Sequence, residues 1–226
     1  TILSRNPELI ETKKIKVVYN GIDIDKYDKL AVPPLYLKKR GEIILGNAGR
    51  LVRQKAQNYL IDIAHALKQK GYKFKILIAG EGKLEKELKA YAKKMEVEKE
   101  VVFLGFVENI KAFMTSIDVF LLTSLWEGFG YVIIEAMICK KPVVAFDISS
   151  NPELVEDNRT GFLVENQNMN VFIQKIETLM FKDKCFMGDT VTVNKNKIIA
   201  RASLNREIED PVFSPTFIFV PNMVYV

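Results

Sequence analysis

Four short segments of the sequence combine residue types suited to holding a polyanion and a polar ring system. In Gly46-Asn-Ala-Gly49-Arg50-Leu-Val-Arg-Gln-Lys55, an apolar run ends in two glycines that permit close backbone approach, and two cations follow five residues apart. The Arg50 guanidinium can grip two phosphate oxygens at once, and the Lys55 ammonium adds a compact second charge beside the free amides of a helix start. A diphosphate suits that pattern, although two surface cations flanking a turn read the same way. Ile78-Ala-Gly80-Glu-Gly82 is a glycine turn after an apolar run and is weak alone. The sharpest segment is Ser124-Leu-Trp126-Glu127-Gly128-Phe129-Gly130-Tyr131-Val-Ile-Ile-Glu135-Ala136, where Gly128 and Gly130 allow a tight turn and a helix starting near Tyr131 aims unpaired amides at an anion. Eight helical steps from Glu127 to Glu135 span roughly 12 Å at about 1.5 Å per residue. Carboxylates sharing one glycosidic bond stand about 5 to 9.5 Å apart, so two separate roles along a long ligand are expected. In Ser149-Ser150-Asn151-Pro152-Glu153, serine and asparagine are expected to cap the next helix with Glu153 in its first turn.

These segments need a frame that gathers them at one edge. From Glu42 to about Met180, short apolar runs alternate with longer periodic stretches, the mark of a parallel sheet with crossover helices. The expected strands are 43–46, 74–79, 101–104, 119–122, 142–146 and 161–164. Leu60, Ile63, Ala64 and Leu67 share one helix face, and Leu84, Leu88, Tyr91 and Met95 another. The predicted fold is a doubly wound, Rossmann-like α/β domain, whose ligands bind at the carboxyl ends of the strands. The flanks differ. Residues 1–37 hold one strand-like run, 15–19, then Asn20-Gly21 and a linker with Pro33 and Pro34. Residues 184–226 form a tail broken by Asn and Pro, ending in a β-prone run, 216–226. The expected organisation is the end of an upstream lobe over 1–37, one domain over 38–183, and an unassigned tail.

Composition narrows the partners. A length of 226 residues, 48 % hydrophobic and 27 % charged, fits a globular chain able to bury a sizeable core and excludes collagen-like repetition. Two full Rossmann-type domains would need more chain. The 33 basic and 28 acidic residues leave a net charge of +5, with lysines scattered among acids and no interleaved aromatics, so nucleic acid is not an expected partner. A peripheral membrane contact stays open. Cys139 and Cys185 are too sparse for a disulfide framework or metal site, which fits a reducing compartment, the cytoplasm by default. No run of about 18 apolar residues is present.

Taken in order, the segments resemble the carboxyl-terminal, donor-binding half of a GT-B glycosyltransferase of the family 4, or group 1, kind. The resemblance runs from about Val17 to Met180. It rests on Val-Tyr-Asn20-Gly21-Ile-Asp23, Gly49-Arg50-Leu with Gln54-Lys55, Phe103-Leu-Gly105-Phe, Glu127-Gly-Phe-Gly130 with Glu135-Ala-Met, Pro142-Val-Val-Ala, Pro152-Glu153 and Gly161-Phe-Leu-Val. It implies a retaining transferase that takes a sugar from a nucleoside diphosphate without a metal or other cofactor and passes it to a glycan or lipid-linked acceptor. Arg50 and Lys55 would hold the diphosphate and stabilise the leaving group. Glu127 would contact the donor sugar, Glu135 would accept from ribose hydroxyls, Gly49 and the amides of Phe129, Gly130 and Tyr131 would complete the phosphate cradle, and Val107 would border the base. Catalytic roles thus fall to Glu127, Arg50 and Lys55.

The sequence departs from the family at Ala56 and Lys141, where glycine is usual, and at Ser149-Ser150-Asn151, where many members carry a glycine pair. The amino-terminal lobe, with its acceptor contacts and catalytic histidine, is expected to be missing except for its last strand at 15–19, and the one histidine, His65, is read as structural or solvent-facing. Asp23-Ile24-Asp25 is read as part of the linker rather than as a metal motif. The shortness of the chain leaves a second reading open: a catalytically silent nucleotide-sugar-binding module or gene fragment. A dinucleotide-binding oxidoreductase is disfavoured, because no Gly-x-Gly-x-x-Gly follows the first strand with an acid about 20 residues on.

Overall fold

The computed structural model describes residues 32–181, Ile22, and the backbone of Lys16–Asn20 and Val220–Tyr225. The chain divides into two units, residues 30–192 and residues 1–29 with 193–226. In the latter, strand β1 (Lys16–Asn20) pairs antiparallel with β8 (Val220–Tyr225). The strand expected at 15–19 and the β-prone run at 216–226 are therefore partners. The register slips between Val18 and Tyr19, where Pro221 offers no amide to the ladder. The aspartates of Asp23-Ile24-Asp25 lie outside the described residues.

The larger unit is a six-stranded parallel sheet in the order β4-β3-β2-β5-β6-β7. Its strands are β2 (Ile43–Ala48), β3 (Phe74–Ala79), β4 (Val101–Gly105), β5 (Val119–Leu122), β6 (Val143–Phe146) and β7 (Gly161–Val164). The crossovers carry α1 (Asn58–Gln69), α2 (Glu85–Lys94), α3 (Ile110–Ser116), α4 (Tyr131–Ile138), α5 (Asn151–Leu154) and, after β7, α6 (Met169–Phe181). All six strands fall within two residues of their expected bounds. β5 and β6 are buried throughout, as helices on both faces require. β4 is buried only at Val101, because it forms an edge.

The helices bury the faces their periodicity assigns. Leu60, Ile63, Ala64 and Leu67 of α1 are buried. On α2, Leu88 is buried, and Leu84, Tyr91 and Met95 pack partly buried against the same core. α4 buries Ile133, Ile134, Ala136, Met137 and Ile138, and a helix apolar on nearly every side belongs inside. His65 Nδ1 lies 3.0 Å from Met95 O and donates there, tying α1 to the end of α2. Of the structural and solvent-facing roles expected of it, this is the structural one.

The linker is clipped to the opposite end of the sheet from the strands' carboxyl ends. The Leu35 and Tyr36 amides both donate to Ser116 Oγ, at 2.7 and 3.2 Å. Lys38 Nζ reaches Asp118 at 2.7 Å, and the Ile44 amide donates to the same carboxylate.

Two departures from family glycines resolve differently. Ala56, with φ +46° and ψ +46°, holds the left-handed conformation that disfavours a β-carbon by about 1 to 2 kcal/mol. Lys141 does not; its neighbour Lys140, at φ +58°, takes the left-handed position that closes α4. Ala56→Gly is expected to raise stability by about 1 kcal/mol despite the greater freedom of the unfolded glycine. Urea denaturation checks the sign, and a loss of stability would refute the strain.

Candidate functional site

The chain runs outward from β2 through β3 to β4, then returns to the centre at β5 and runs outward the other way. The reversal falls between β2 and β5, and doubly wound sheets bind ligands in the crevice above the carboxyl ends of such a strand pair. Two loops border it: residues 49–57 beyond β2, which include a 3-10 turn at Arg53–Lys55, and residues 123–130 beyond β5. Below them, Asn47 Nδ2 donates to Leu121 O at 2.8 Å.

Both loops are stitched together. The Leu125 amide donates to Gln54 O at 2.8 Å, and Gln54 Nε2 donates to Trp126 O at 2.8 Å. Thr123 Oγ1 lies 3.2 Å from Lys55 O and 3.3 Å from Ala56 O. At the top of this seam, Lys55 Nζ meets Glu127 Oε1 at 2.6 Å, with side chains 17 % and 5 % exposed. Two residues singled out 72 positions apart thus form one nearly dry ion pair. In such surroundings the attraction is stronger than at a surface, and the penalty for losing one partner is correspondingly large.

Arg50, in the same loop as Lys55, is exposed. Its carbonyl is fixed by Gln57 Nε2 at 3.0 Å, and its guanidinium has no ion pair or hydrogen bond among the described residues. Gly49 lies in the same turn, but its amide donates to Ala79 O at 2.9 Å and is already engaged. The turn beyond β3 supports this loop by direct backbone contact. A β-carbon on Gly80, at φ +131°, would stand 2.1 Å from Gly49 O, and one on Gly82 would stand 2.4 Å from Leu51 O. Those glycines are thus required for packing loop on loop, which is the structural use that the sequence left open.

Beyond β5, neither Gly128 nor Gly130 has a left-handed backbone, so the turn they were expected to permit does not depend on φ. Gly130 precedes α4, whose first turn carries no acidic residue, leaving the positive end of the helix uncompensated. The amides of Phe129 and Gly130 have no partner among the described residues, while that of Tyr131 donates to Phe129 O at 3.1 Å. The two rings stack edge to face, 4.7 Å apart. Glu135 sits half-buried on α4, and burial pushes its carboxyl up to about 7. Val107 lies beyond edge strand β4, two strands from β2, so it is on the same side of the sheet but apart from the ion pair.

The capping expected at Ser149-Ser150-Asn151 is not what the structure has. Ser150 makes no side-chain cap to α5, and Asn151 is fully buried with its Nδ2 donating to Phe146 O at 2.9 Å. Ser149, left-handed at φ +48°, turns its hydroxyl to the crevice loop and accepts from the Glu127 amide at 3.3 Å. The sequence reading gave Ser149 only a capping role and gave Thr123 none. Thr123 and Ser124, both fully buried polar residues directly after an apolar strand, carried the one signal that could have marked the seam.

Among the described residues, no group of three or more His, Cys, Asp and Glu side chains could hold a metal ion. No helix among them is long and apolar enough to cross a membrane. An open groove of about 330 Å³ between α2 and β4, lined by Lys89, Glu98 and Phe103 among others, lies on the outer edge of the sheet and carries none of these groups.

Residues 33–185 match a family model described as glycosyl transferases group 1. The chain is 35 % identical over 176 residues to the N-acetylgalactosamine-N,N'-diacetylbacillosaminyl-diphospho-undecaprenol 4-alpha-N-acetylgalactosaminyltransferase of Campylobacter jejuni, with 77 % of this chain and 47 % of that protein covered. It is 33 % identical to the poly(ribitol-phosphate) alpha-N-acetylglucosaminyltransferase of Staphylococcus aureus, covering 74 % of this chain and 34 % of that one. The crystal structure of Anabaena Alr3699/HepE in complex with UDP and glucose matches with a TM-score of 0.64 at 29 % identity, over 78 % of this chain and 49 % of that chain. The chain therefore spans about half or less of the length of these relatives.

Proposed function

This chain belongs to the glycosyl transferases group 1 family, and from that premise we propose that it is the donor-binding, carboxyl-terminal half of a retaining GT-B glycosyltransferase of the family 4 kind. The observation that carries the proposal is the Lys55–Glu127 ion pair at 2.6 Å between the loops beyond β2 and β5, with the exposed Arg50 in the same loop as Lys55. The donor is a nucleoside diphosphate sugar, and a relative held with UDP and glucose supports that class. Arg50, Lys55 and the amides before α4 would receive the diphosphate. They would stabilise its negative charge as the bond to the anomeric carbon breaks and an acceptor oxygen bonds from the same side. With those cations and amides as counter-charge, the chemistry needs no metal or other cofactor. Glu127 would hold the donor sugar and Glu135 the ribose hydroxyls; Val107 would border the base from the β4 side.

The acceptor is a glycan or a lipid-linked sugar, supported by the undecaprenol-linked substrate in the name of the Campylobacter relative. Its contacts would come mainly from an amino-terminal lobe, of which residues 1–37 are the end, while 38–183 form the donor domain. A cytoplasmic enzyme with peripheral membrane contact accords with that acceptor class and with the net charge of +5.

Calorimetry of the chain with UDP, GDP and ADP tests the reading, and a folded sample that binds none of them would overturn it. Arg50→Ala is expected to weaken diphosphate binding about 10- to 100-fold, the loss of a charge-assisted contact worth roughly 1.5 to 3 kcal/mol. A second reading is a nucleotide-sugar-binding module without turnover. Transfer by an upstream-extended chain but not by this one would establish it; transfer by these residues alone would exclude it.

A further inference from the structure

Ser149 holds a left-handed backbone, at φ +48°, a conformation that disfavours any residue with a β-carbon and that glycine adopts without strain. Strain kept at one position points to a use for the side chain there. The serine lies in a loop fastened on both sides of it. Phe146 O accepts from the Ile148 amide at 3.0 Å and from Asn151 Nδ2 at 2.9 Å, the Asn151 amide donates to Ile148 O at 2.9 Å, and Asn151 is fully buried. From this mount the Ser149 hydroxyl accepts from the Glu127 amide at 3.3 Å. The carboxylate of the same glutamate meets the Lys55 ammonium at 2.6 Å. Glu127 is thus gripped twice, at its side chain by the loop beyond β2 and at its backbone by the loop beyond β6.

We propose that Ser149 is a positioning residue that holds Glu127 where its carboxylate meets Lys55, a deepening that rests on the donor-site reading above. The bonds that tie the β5 loop to the β2 loop, from the Leu125 amide to Gln54 O and from Gln54 Nε2 to Trp126 O, stop one residue short of Glu127. After Glu127, the amides of Phe129 and Gly130 have no partner among the described residues until α4 begins. Glu127 is therefore the last fixed point of the loop, and among the described residues the Ser149 hydroxyl is the group that fixes its amide. Glycine at position 149 would relax the backbone and offer that amide no acceptor. Alanine would keep the strain and offer none either.

Ser149→Ala, Ser149→Gly and Ser149→Thr separate the hydroxyl from the strain. In the full chain, the coupling between Lys55 and Glu127 is read by chemical denaturation of their single and double alanine variants, in the parent and in each Ser149 background. Expressed as a ratio of folding constants, the coupling should fall about three- to tenfold in the alanine and glycine backgrounds alike, the size of one neutral hydrogen bond. The glycine background should nevertheless be the more stable of the two. Ser149→Thr keeps the hydroxyl and should keep the coupling, although a β-branched residue is strained further at that φ. A merely structural serine would move stability and coupling together. UDP affinity by calorimetry should follow the hydroxyl in the same way, weaker by about threefold in the alanine and glycine variants and kept in the threonine variant. Circular dichroism verifies folding, and if the threonine variant does not fold, alanine against glycine decides. Unchanged coupling in both overturns the positioning role and, with UDP bound by the parent, leaves the proposed function standing. Coupling lost in alanine but restored in glycine also overturns it. Coupling lost in both, in a parent that binds none of UDP, GDP and ADP, supports the positioning role and removes the donor-site reading.

Discussion

Lys55→Ala is expected to destabilise the chain by about 3 kcal/mol, while Glu127→Ala costs about half as much. The asymmetry follows from burial. Removing Lys55 strands a carboxylate whose side chain is 5 % exposed, and an unpaired buried charge typically costs about 3 to 5 kcal/mol. Removing Glu127 leaves an ammonium on a four-carbon stem, already 17 % exposed, which can turn toward water. The double variant should lose less than the two single losses combined, because once either partner is gone the other gains nothing from staying. Chemical denaturation of the four proteins measures this coupling. Strict additivity, or an unperturbed Lys55→Ala, would show that the pair does not bind the two loops together. In the proposed function the same variant should also lose its preference for a nucleoside diphosphate over the nucleoside, since Glu127 holds the ammonium above the crevice before any ligand arrives.

The second large effect is a trade of stability against binding at Glu135. Its carboxyl is raised from 4.5 to about 7 by burial alone, so the folded chain holds a proton that the unfolded chain has released. Between about pH 4.5 and 7 the folded state is the more protonated one, and stability must fall as pH rises through that window. Glu135→Gln removes the penalty. The variant should match the parent near pH 4.5 and exceed it by about 1 to 2 kcal/mol above pH 7, a value reduced from the full shift because the half-buried group keeps some solvent. Thermal melts at both pH values check this, and a variant less stable at pH 8 would contradict it. In the proposed function, ribose hydroxyls donate best to the carboxylate, so nucleotide binding should release a proton near neutrality and weaken as pH falls below about 7. In Glu135→Gln that pH dependence should disappear and affinity should drop.

The strands were legible because parallel strands buried on both faces read as short apolar runs, and 119–122 and 161–164 were located to the residue. The expectation of a ligand site at the strand ends rested on glycine and charge there. Less legible was what each polar residue does there. Lys55 and Glu127 were assigned to different parts of a ligand, and nothing in their spacing of 72 residues says that they touch, since contact depends on β2 and β5 being neighbours. Ser149 was read as a cap because serine before Pro-Glu ordinarily is one. Its left-handed backbone instead sends the hydroxyl to the Glu127 amide, a long-range contact with no local signature. Gly80 and Gly82 were visible as a turn, but their role in admitting Gly49 and Leu51 at backbone distance belongs to the pairing of β2 with β3.

The seam between β2 and β5 also bears on how the domain assembles in time. β2 pairs with β3 over six residues, β6 with β7 over four, and β2 with β5 over only two, Leu45 with Val119 and Gly46 with Phe120. Each half of the sheet is wired through short crossovers, whereas the central joint must close a loop of more than seventy residues, the slow class of contact in folding. The halves β2-β3-β4 and β5-β6-β7 can therefore gain structure before they dock. The Lys55–Glu127 pair, the Gln54 bonds and the Thr123 hydroxyl all cross the joint, so they come into being only with that final docking. A ligand bridging the crevice would act as a clasp on the last step of folding, slowing unfolding while leaving the early rate of collapse untouched.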